Sequence, residues 1–412
     1  MRVVRYVIIG NSAAGIGAVE KIRQLDKSGE IIIISSEPHH TYSRPLISYL
    51  LQGKTDEQRM KYRDDAFYER NKCTFLAGKT VTRINPDNKY VELDDKKTIP
   101  YDKLLVAAGS SAFVPPIEGL DTVKDKFTFM SLDDARKLQA SLGKEKKVLI
   151  LGAGLIGLKC AEGILDKVKE ITVVDLAPRI LSSILDDEGA RIVQDHLERK
   201  GMKFILSSGV KTFDGNTAIL DNGASVDFDI LVIAVGVRPN TKLLTGIADI
   251  DKGIIINDRC ETSAKDIYAA GDCTQSVDVS TGQSKIMALL PNAYMQGECA
   301  GANMAGADMS FAKAIPMNAI GFFGLHIITA GSYYGDVYTD KKDGGYKKLF
   351  YGSDRLNGYI LIKNVDKAGI YTSLIRERTP LSSIDFSLIC ERPGLMAFTK
   401  EERVRKLGGA DL

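Results

Sequence analysis

The chain lacks several features that mark specialised classes of protein. It contains no tryptophan, and its six cysteines are so widely spaced that no CxxC pair occurs. Because zinc and iron–sulfur sites need closely spaced cysteines, no metal site is predicted in this chain. We expect the cysteines to be buried free thiols in a reducing cytoplasm.

Long apolar runs and strong charge are missing as well. No stretch of about 18 apolar residues is present, so no membrane span is expected, and the N-terminus does not have the layout of a signal peptide. The net charge of +2 argues against a nucleic-acid binder. The composition, 44% hydrophobic and 26% charged over 412 residues, is typical of a globular protein of two or three domains.

The N-terminal residues have the pattern of a βαβ unit that binds a dinucleotide. An apolar strand from Val3 to Ile9 precedes a glycine turn, a helix follows, and a second apolar strand leads to Glu37. Such a turn lets the backbone approach a pyrophosphate at the helix start, and Glu37 can hold the ribose hydroxyls. Ser12 stands where the middle glycine usually occurs. The predicted contact residues of the turn are Gly10, Ser12, Ala13, Ala14 and Gly15.

The same pattern returns in the middle of the chain, now with a complete GxGxxG motif between a strand and a helix. An acidic residue, Asp175, again ends the second strand. This carboxylate favours NADH, because it would repel the 2′-phosphate of NADPH. Arg179, four residues further along, keeps NADPH as an alternative nucleotide. The predicted contact residues of this second loop are Gly152, Gly154, Leu155, Ile156 and Gly157.

Three further apolar strands stop at a glycine, as strands do when they close a nucleotide domain against its cofactor. The residues predicted to line the cofactors at these endings are Ala108, Gly109, Val235, Gly236, Gly271 and Asp272. Pro291 then marks the start of a helix, whose N-terminus carries a positive dipole. A loop with Arg44 and Pro45 follows Glu37 and enters another helix; Arg44 can reach a phosphate or a flavin.

The remaining elements are predicted from periodicity. Residues 72–76, 80–84 and 90–93 are expected to form a small β-element, and residues 131–142 an amphipathic helix. In residues 313–412 we expect an antiparallel sheet with strand-like pieces at 318–330, 346–352, 356–363 and 368–376, a hairpin turn at 355–358 and a helix at 399–407. This part holds 15 basic and 11 acidic residues, which fits docking to an acidic protein, although a solvated face without a partner is equally compatible.

This ordered set of motifs resembles the pyridine nucleotide–disulfide oxidoreductase superfamily. The resemblance implies an α/β fold with two Rossmann-like domains and a C-terminal α+β interface domain. Each Rossmann-like domain would have three layers, in the order ββα. FAD would bind to residues 1–115 and 237–312, NAD(P)H would bind to residues 116–236, and residues 313–412 would form the interface domain.

The resemblance also implies roles for individual residues. Asp272 would hold the ribityl–pyrophosphate region of FAD, and the backbone of Val81 would meet the adenine. The helix that starts at Pro291, Asn292 and Ala293 would point its N-terminus at the flavin, where a positive dipole stabilises the reduced form.

Within the superfamily, the segment after Glu37 indicates the branch. Members active on thiols carry a redox cysteine there, but no cysteine occurs from residue 38 to 72. The pattern Tyr-x-Arg-Pro-x-x-Ser at residues 42–48 is instead similar to rubredoxin reductases, ferredoxin reductases of oxygenase systems and flavin domains of nitrite reductases. The resemblance therefore implies electron transfer from NADH through FAD to a separate rubredoxin-like or iron–sulfur protein.

Two positions depart from the ferredoxin reductases. Tyr49 stands where those proteins usually have lysine, and Lys159 stands where they usually have glutamate. Our hypothesis is that Lys159 lies near the contact of nicotinamide and flavin and pairs with Glu162 at i+3, or stabilises reduced flavin; the alternative is a surface lysine. The candidate catalytic residues are Lys159, Glu162 and Arg44.

Two other functions stay open at this stage. A peroxide-forming NADH oxidase would use the same cofactors with oxygen as the acceptor. A flavin- and NADH-binding signalling or assembly subunit, similar to the relatives of apoptosis-inducing factor, would turn over slowly with every acceptor. A homodimer is compatible with the sequence.

Overall fold

The computed structural model describes residues 3–312 and 314–407. They form two compact units. The first comprises residues up to Ser183 together with Ala190–Ser276 and Ser284–Phe311, and the second comprises Ile184–Gly189, Val277–Gln283 and the residues from Ala312 onward. In the described part of the chain, none of the helices is both long enough and apolar enough to cross a membrane.

The helices of the described residues are distributed along the whole chain. They are α1 (Ala13–Leu25), α2 (Ile47–Gln52), α3 (Phe67–Arg70), α4 (Leu132–Ser141), α5 (Leu155–Ile164), α6 (Asp187–Glu198), α7 (Leu290–Met304), α8 (Ala368–Arg376), α9 (Phe386–Glu391) and α10 (Lys400–Leu407). A 3-10 turn at Arg44–Leu46 leads directly into α2.

The strands follow in two groups. The first group is β1 (Arg5–Ile9), β2 (Glu30–Ser35), β3 (Cys73–Ala77), β4 (Val81–Asn85), β5 (Tyr90–Leu93), β6 (Thr98–Pro100), β7 (Lys103–Val106), β8 (Ser110–Ala112), β9 (Lys126–Thr128), β10 (Lys147–Leu151), β11 (Glu170–Val174), β12 (Met202–Ile205) and β13 (Val210–Asp214). The second group is β14 (Thr217–Leu220), β15 (Ser225–Asp227), β16 (Ile230–Ile233), β17 (Val237–Pro239), β18 (Ile254–Ile255), β19 (Ile267–Ala269), β20 (Thr274–Val277), β21 (Ser284–Ile286), β22 (Met317–Phe322), β23 (Leu325–Gly331), β24 (Asp336–Asp340), β25 (Tyr346–Gly352) and β26 (Arg355–Ile362).

The first nucleotide fold is built on a parallel sheet with the order β19-β7-β1-β2-β3. The central strands β1, β2 and β7 are apolar over most of their length, because both faces of the sheet are covered there. Ile8 and Ile33 face the core that α1 and α7 cover, whereas Val7 and Ile32 face the core with Val81 and the small antiparallel sheet β4-β5-β6. These layers confirm the predicted ββα architecture.

One strand of this fold was placed wrongly from the sequence. Residues 72–76 were expected to join the small β-element with the strands near 80 and 90. The structure instead pairs β3 in parallel with β2, with Ile33 opposite Phe75. The order of strands in a parallel sheet depends on contacts that are distant in sequence, so the local pattern could not assign β3 to its sheet.

The second nucleotide fold repeats the first. Its parallel sheet has the order β12-β11-β10-β16-β9, and β13-β14-β15 form an antiparallel sheet beside it. Phe213 and Leu220 of that sheet pack in one core with Leu149 and Leu231. The predicted helix at 131–142 is α4, which begins with a capping box between Ser131 and Asp134.

The second unit contains an antiparallel sheet with the order β22-β23-β26-β25-β24, as predicted. Two expectations about it were wrong. Residues 368–376 form helix α8 rather than a strand, because their buried residues recur at helical spacing at Ala368, Tyr371 and Leu374. The turn between β25 and β26 lies at Ser353 and Asp354, which have φ of 50° and 59°, so residues 355–358 belong to β26. The predicted domain boundaries stay predictions.

Helices α1 and α7 pack closely because small residues face each other. A β-carbon on Gly297 would lie 2.0 Å from the carbonyl oxygen of Ala14, and one on Gly301 would lie 2.6 Å from that of Ala18. This contact fixes α1, which follows the first glycine loop, against α7.

Replacing Gly297 with alanine is expected to destabilise the protein by about 1–3 kcal/mol or more, because the new methyl group overpacks the α1–α7 contact. Thermal unfolding of the variant measures this loss. Gly369→Ala is the matched control: that glycine lies in α8 with no heavy atom within 4 Å of the added carbon, so its variant should unfold at the wild-type temperature or slightly above. Equal melting temperatures for Gly297→Ala and wild type would contradict the packing described here.

Candidate active site

The first glycine loop joins β1 to α1 through a turn that only glycine tolerates. Gly10 has a φ of 117°, and a β-carbon there would lie 2.1 Å from the carbonyl oxygen of Ala107. A β-carbon on Gly15 would lie 2.0 Å from the carbonyl oxygen of Gly10. Ser12 precedes α1, and its side chain makes no capping hydrogen bond. The first turn of α1, which contains Ala13 and Ala14, thus presents N–H groups that Ser12 does not cap.

Glu37 and Arg44, predicted separately, lie together. Arg44 forms an ion pair with Glu37, and its Nη1 donates to the carbonyl oxygen of Met130 at 3.1 Å. Tyr42 was not predicted as a site residue; its hydroxyl donates to Glu37 Oε2 at 2.6 Å and accepts from the N–H of Leu132 at 3.0 Å. Burial acts to lower the pKa of Arg44, but Tyr42 and Glu37 raise it above its ordinary value.

A polar cavity lies between the glycine loop and the loop that follows β2. Its lining residues are Asn11, Ser12, Ser35, Glu37, His39, His40, Tyr42 and Arg44. Among the described residues, the Nε2 atom of His40 is buried without a hydrogen-bond partner. His40 lines the polar cavity, and an orphaned polar atom in such a residue fits a site that binds a nucleotide. The sequence signal that could have found both histidines is their position shortly after Glu37, the acid predicted to hold the ribose hydroxyls.

Asp272 interacts electrostatically with Arg44. Burial raises the pKa of the Asp272 carboxyl, against the opposing effects of Arg44 and Ser110; the Ser110 hydroxyl lies 3.5 Å away. Gly271 has a φ of 83°, and its N–H donates to the Gln296 side chain of α7 at 2.8 Å. Gly109 also has a positive φ, of 63°. The carbonyl oxygen of Ala108 accepts from the Asn240 side chain at 2.8 Å.

The other predicted FAD contacts lie in the same unit. Helix α7 begins at Leu290, with Asn292 and Ala293 buried in its first turn, as the proline signal predicted. Val81 is the buried first residue of β4, opposite Leu93. Pro45 occupies the 3-10 turn before α2. The roles of these residues toward FAD stay predictions.

The second glycine loop has the geometry of the first. A β-carbon on Gly152 would lie 2.3 Å from the carbonyl oxygen of Ala234, and one on Gly157 would lie 2.0 Å from that of Gly152. Gly154 precedes α5, and a β-carbon there would meet nothing within 4 Å. The start of α5 is therefore open to a pyrophosphate. Leu155 and Ile156 form its first turn.

Asp175 directly follows β11 and lies beside this loop. Its two carboxylate oxygens accept from the N–H groups of Ala153 at 2.6 Å and Ala177 at 2.8 Å. Val235 is 42% exposed, and Gly236 has a φ of 133° with open space around it. Arg179 donates to the carbonyl oxygen of Ser182 at 3.4 Å.

Helices α2 and α5 meet along a contact that we call the seam, formed by residues 48–52 and 159–163. Lys159 forms an ion pair with Glu162, and its Nζ lies 4.7 Å from the centroid of the Tyr49 ring. The side chains of Lys159 and Glu162 are 18% and 4% exposed, so Lys159 is not an open surface lysine. The expected pairing of Lys159 with Glu162 is present; its part in the reaction stays a prediction.

The six cysteines are free thiols; five are buried, as expected, whereas Cys73 is partly exposed. Burial raises the pKa of the Cys160 thiol, which lies in α5. Over residues 3–312 and 314–407 no cluster of histidine, cysteine, aspartate or glutamate could hold a metal ion.

Comparison with known proteins gives relatives over most of the chain. It is 33% identical over 394 residues to the NADH-dependent phenylglyoxylate dehydrogenase subunit epsilon of Aromatoleum evansii, covering 92% of this chain and 93% of the relative. It is 30% identical over 333 residues to the NADH-rubredoxin oxidoreductase of Clostridium acetobutylicum, covering 80% and 82%. The chain spans 50% and 48% of the length of two further curated relatives.

The fold is also shared with a solved structure. The crystal structure of the covalent putidaredoxin reductase–putidaredoxin complex contains a chain that superposes with a TM-score of 0.88 at 20% identity. The match covers 98% of this chain and 99% of that chain.

Arg44→Met is expected to weaken FAD binding at least about tenfold, or by about 1.4 kcal/mol, because Glu37 loses its ion-pair partner and the loop loses its bond to Met130. Fluorescence titration of FAD-free protein with FAD measures the dissociation constant. Arg59→Met, which removes a side chain that is 76% exposed, is the control and should bind FAD as wild type does. Equal affinities for the two variants would contradict this role of Arg44.

The sequence profile of the family described as pyridine nucleotide-disulphide oxidoreductase matches residues 4–297. That range includes both glycine loops, the acids Glu37 and Asp175 that follow the second strand of each nucleotide fold, and the start of α7. Together with the relatives above, the match shows an FAD- and NAD(H)-binding flavoenzyme of the NAD(P)H oxidoreductase class. The chain belongs to the pyridine nucleotide-disulphide oxidoreductase family.

Proposed function

We propose that this chain transfers electrons between NADH and a separate iron protein through bound FAD. The observation that carries the proposal is the joining of two dinucleotide folds in one compact unit, with no cysteine at residues 38–72, the segment of the first fold from which Tyr42 and Arg44 contact the second. Such a unit can bring a nicotinamide to a flavin, and it offers no thiol there as an intermediate electron carrier.

The residues present fit both cofactors. The turn at Gly10, the acid Glu37, the orphaned Nε2 of His40 and the buried carboxyl of Asp272 would hold FAD, and the open helix start at Gly154 would hold the pyrophosphate of NADH. FAD, when bound, supplies hydride acceptance from NADH and the release of electrons one at a time. No protein nucleophile is needed.

The protein then contributes position and electric field. The N-terminus of α7 carries a positive dipole, which stabilises negative charge at the site it faces. The contacts of Tyr42 and Arg44 with residues 130–132 join the two nucleotide folds, so the orientation of the two sites is fixed before the cofactors meet.

Asp175 supports NADH as the preferred nucleotide, because its carboxylate would repel a 2′-phosphate. We expect kcat/KM for NADH to exceed that for NADPH by at least about tenfold, and Asp175→Ser to reduce this ratio. Asp166→Ser removes an exposed acid from the same fold and should leave the ratio unchanged. Steady-state assays with both nucleotides decide the point, and a wild-type preference for NADPH would refute it.

A protein acceptor is supported by the two relatives, which are named as a rubredoxin oxidoreductase and as a subunit of an NADH-dependent dehydrogenase. One of them therefore works with rubredoxin and the other within an assembly. In the described part of this chain no cluster ligands are present, so the acceptor would be a separate chain. Its docking surface on the basic C-terminal part, and a homodimer, remain part of this proposal.

The test measures the acceptor directly. FAD-loaded protein is mixed with NADH under anaerobic conditions, and reduction of a rubredoxin and of a [2Fe–2S] ferredoxin is followed by their absorbance. A parallel reaction with oxygen measures peroxide. We expect at least one iron protein to be reduced about tenfold faster than oxygen or more. Faster reduction of oxygen than of either protein would favour the NADH oxidase instead.

A further inference from the structure

The seam between α2 and α5 contains a charged pair that the proposed reaction does not by itself require. Lys159 and Glu162 lie three residues apart on α5, one turn beyond the loop for the second nucleotide. Glu162 is almost fully buried, with 4% of its side chain exposed. A buried carboxylate is costly unless it is paired, and Lys159 provides such a pairing at the seam.

The third member of this arrangement comes from the other nucleotide fold. The ring of Tyr49, on α2, lies 4.7 Å from the Lys159 ammonium. An ammonium at this distance is attracted to the negative face of the ring. Lys159 is therefore held from two sides, by a carboxylate of its own helix and by an aromatic ring across the seam.

The backbones of α2 and α5 approach closely at the seam. A β-carbon on Gly163 would lie 3.1 Å from the carbonyl oxygen of Ser48 and 3.2 Å from the β-carbon of Leu51. The Gln52 side chain donates to the carbonyl oxygen of Glu162 at 3.3 Å. The position of α5 against α2 is thus fixed by packing, and the charges of Lys159 and Glu162 are held in a defined place.

We propose that Tyr49, Lys159 and Glu162 form one positioning unit, in which Glu162 balances the charge of Lys159 and thereby sets the reduction potential of the flavin. The inference rests on the proposed function, since hydride transfer requires the two rings to meet where the two nucleotide folds touch. A cation near the flavin favours its reduced, more negative form, and a balanced pair does so less. The unit would keep the potential low enough for electrons to pass on to an iron protein.

The test removes one charge at a time and measures potential rather than turnover. The midpoint potential of bound FAD is measured by spectroelectrochemistry without any acceptor protein. Glu162→Gln adds one net positive charge at the seam and should shift the potential to a more positive value. The double variant Lys159→Met with Glu162→Gln is neutral again and should return the potential to that of wild type.

Two controls separate this effect from a general change of charge or fold. Glu145→Gln makes the same charge change at an exposed position of the same nucleotide fold and should leave the potential unchanged. Melting of the FAD-free variants gives a readout independent of the cofactor: Lys159→Met alone should melt lower than the double variant, because it leaves the buried Glu162 without its lysine.

Tyr49 is tested in the same assay. Tyr49→Phe keeps the ring and should retain both the wild-type potential and the full shift caused by Glu162→Gln. Tyr49→Leu removes the ring, so Lys159 is no longer held at the seam and the shift caused by Glu162→Gln should shrink.

The outcomes distinguish this inference from the proposed function. If wild type binds FAD but Glu162→Gln leaves its potential unchanged, or the double variant shifts as far as Glu162→Gln does, the inference is overturned and the function stands. An equal shift in the Tyr49→Leu and Tyr49→Phe backgrounds would remove Tyr49 from the unit. A wild-type protein that takes up no FAD would overturn both.

Discussion

The contact of residues 37–57 with the second nucleotide fold is the constraint on which the rest of the structure depends. Tyr42 accepts a hydrogen bond from the N–H of Leu132, Arg44 donates to Met130, and Arg136 of α4 pairs with Glu57. Gly163 closes the same contact on α2. Because hydride transfer needs the reacting atoms in contact, two nucleotide folds without this connection could bind their cofactors and still not react.

The same contact explains how charged side chains are accommodated between the two folds. Glu37 pairs with Arg44, and Lys159 pairs with Glu162, so the carboxylates that leave water do so with a cation beside them. Burial raises the pKa of the Asp272 carboxyl, which is predicted to contact FAD. A carboxyl with a raised pKa can exchange hydrogen bonds with the hydroxyl groups of a ligand. This is consistent with the ribityl region of FAD that is expected there.

The sequence predicted most of the fold because the signals for it are local. Each glycine loop, the acid that follows it and the start of α7 can be found from short motifs, and the structure places them as expected. The assignment of β3 to its sheet and the pairing of Tyr49 with Lys159 could not be predicted, since each joins residues far apart in sequence. Helix α8 was missed because Ile370, Tyr371 and Thr372 favour strands, whereas the burial that decides its conformation has a helical period.

The central claim is that one chain holds FAD and NADH so that the nucleotide reduces the flavin directly. Anaerobic titration of the purified, FAD-loaded protein with NADH tests it, with the absorbance of the oxidised flavin as the readout. The account predicts one FAD per chain, fully reduced by one equivalent of NADH whether or not Cys73, the one partly exposed thiol, is alkylated. Protein that takes up no FAD, or a bound flavin that stays oxidised in excess NADH, would contradict it.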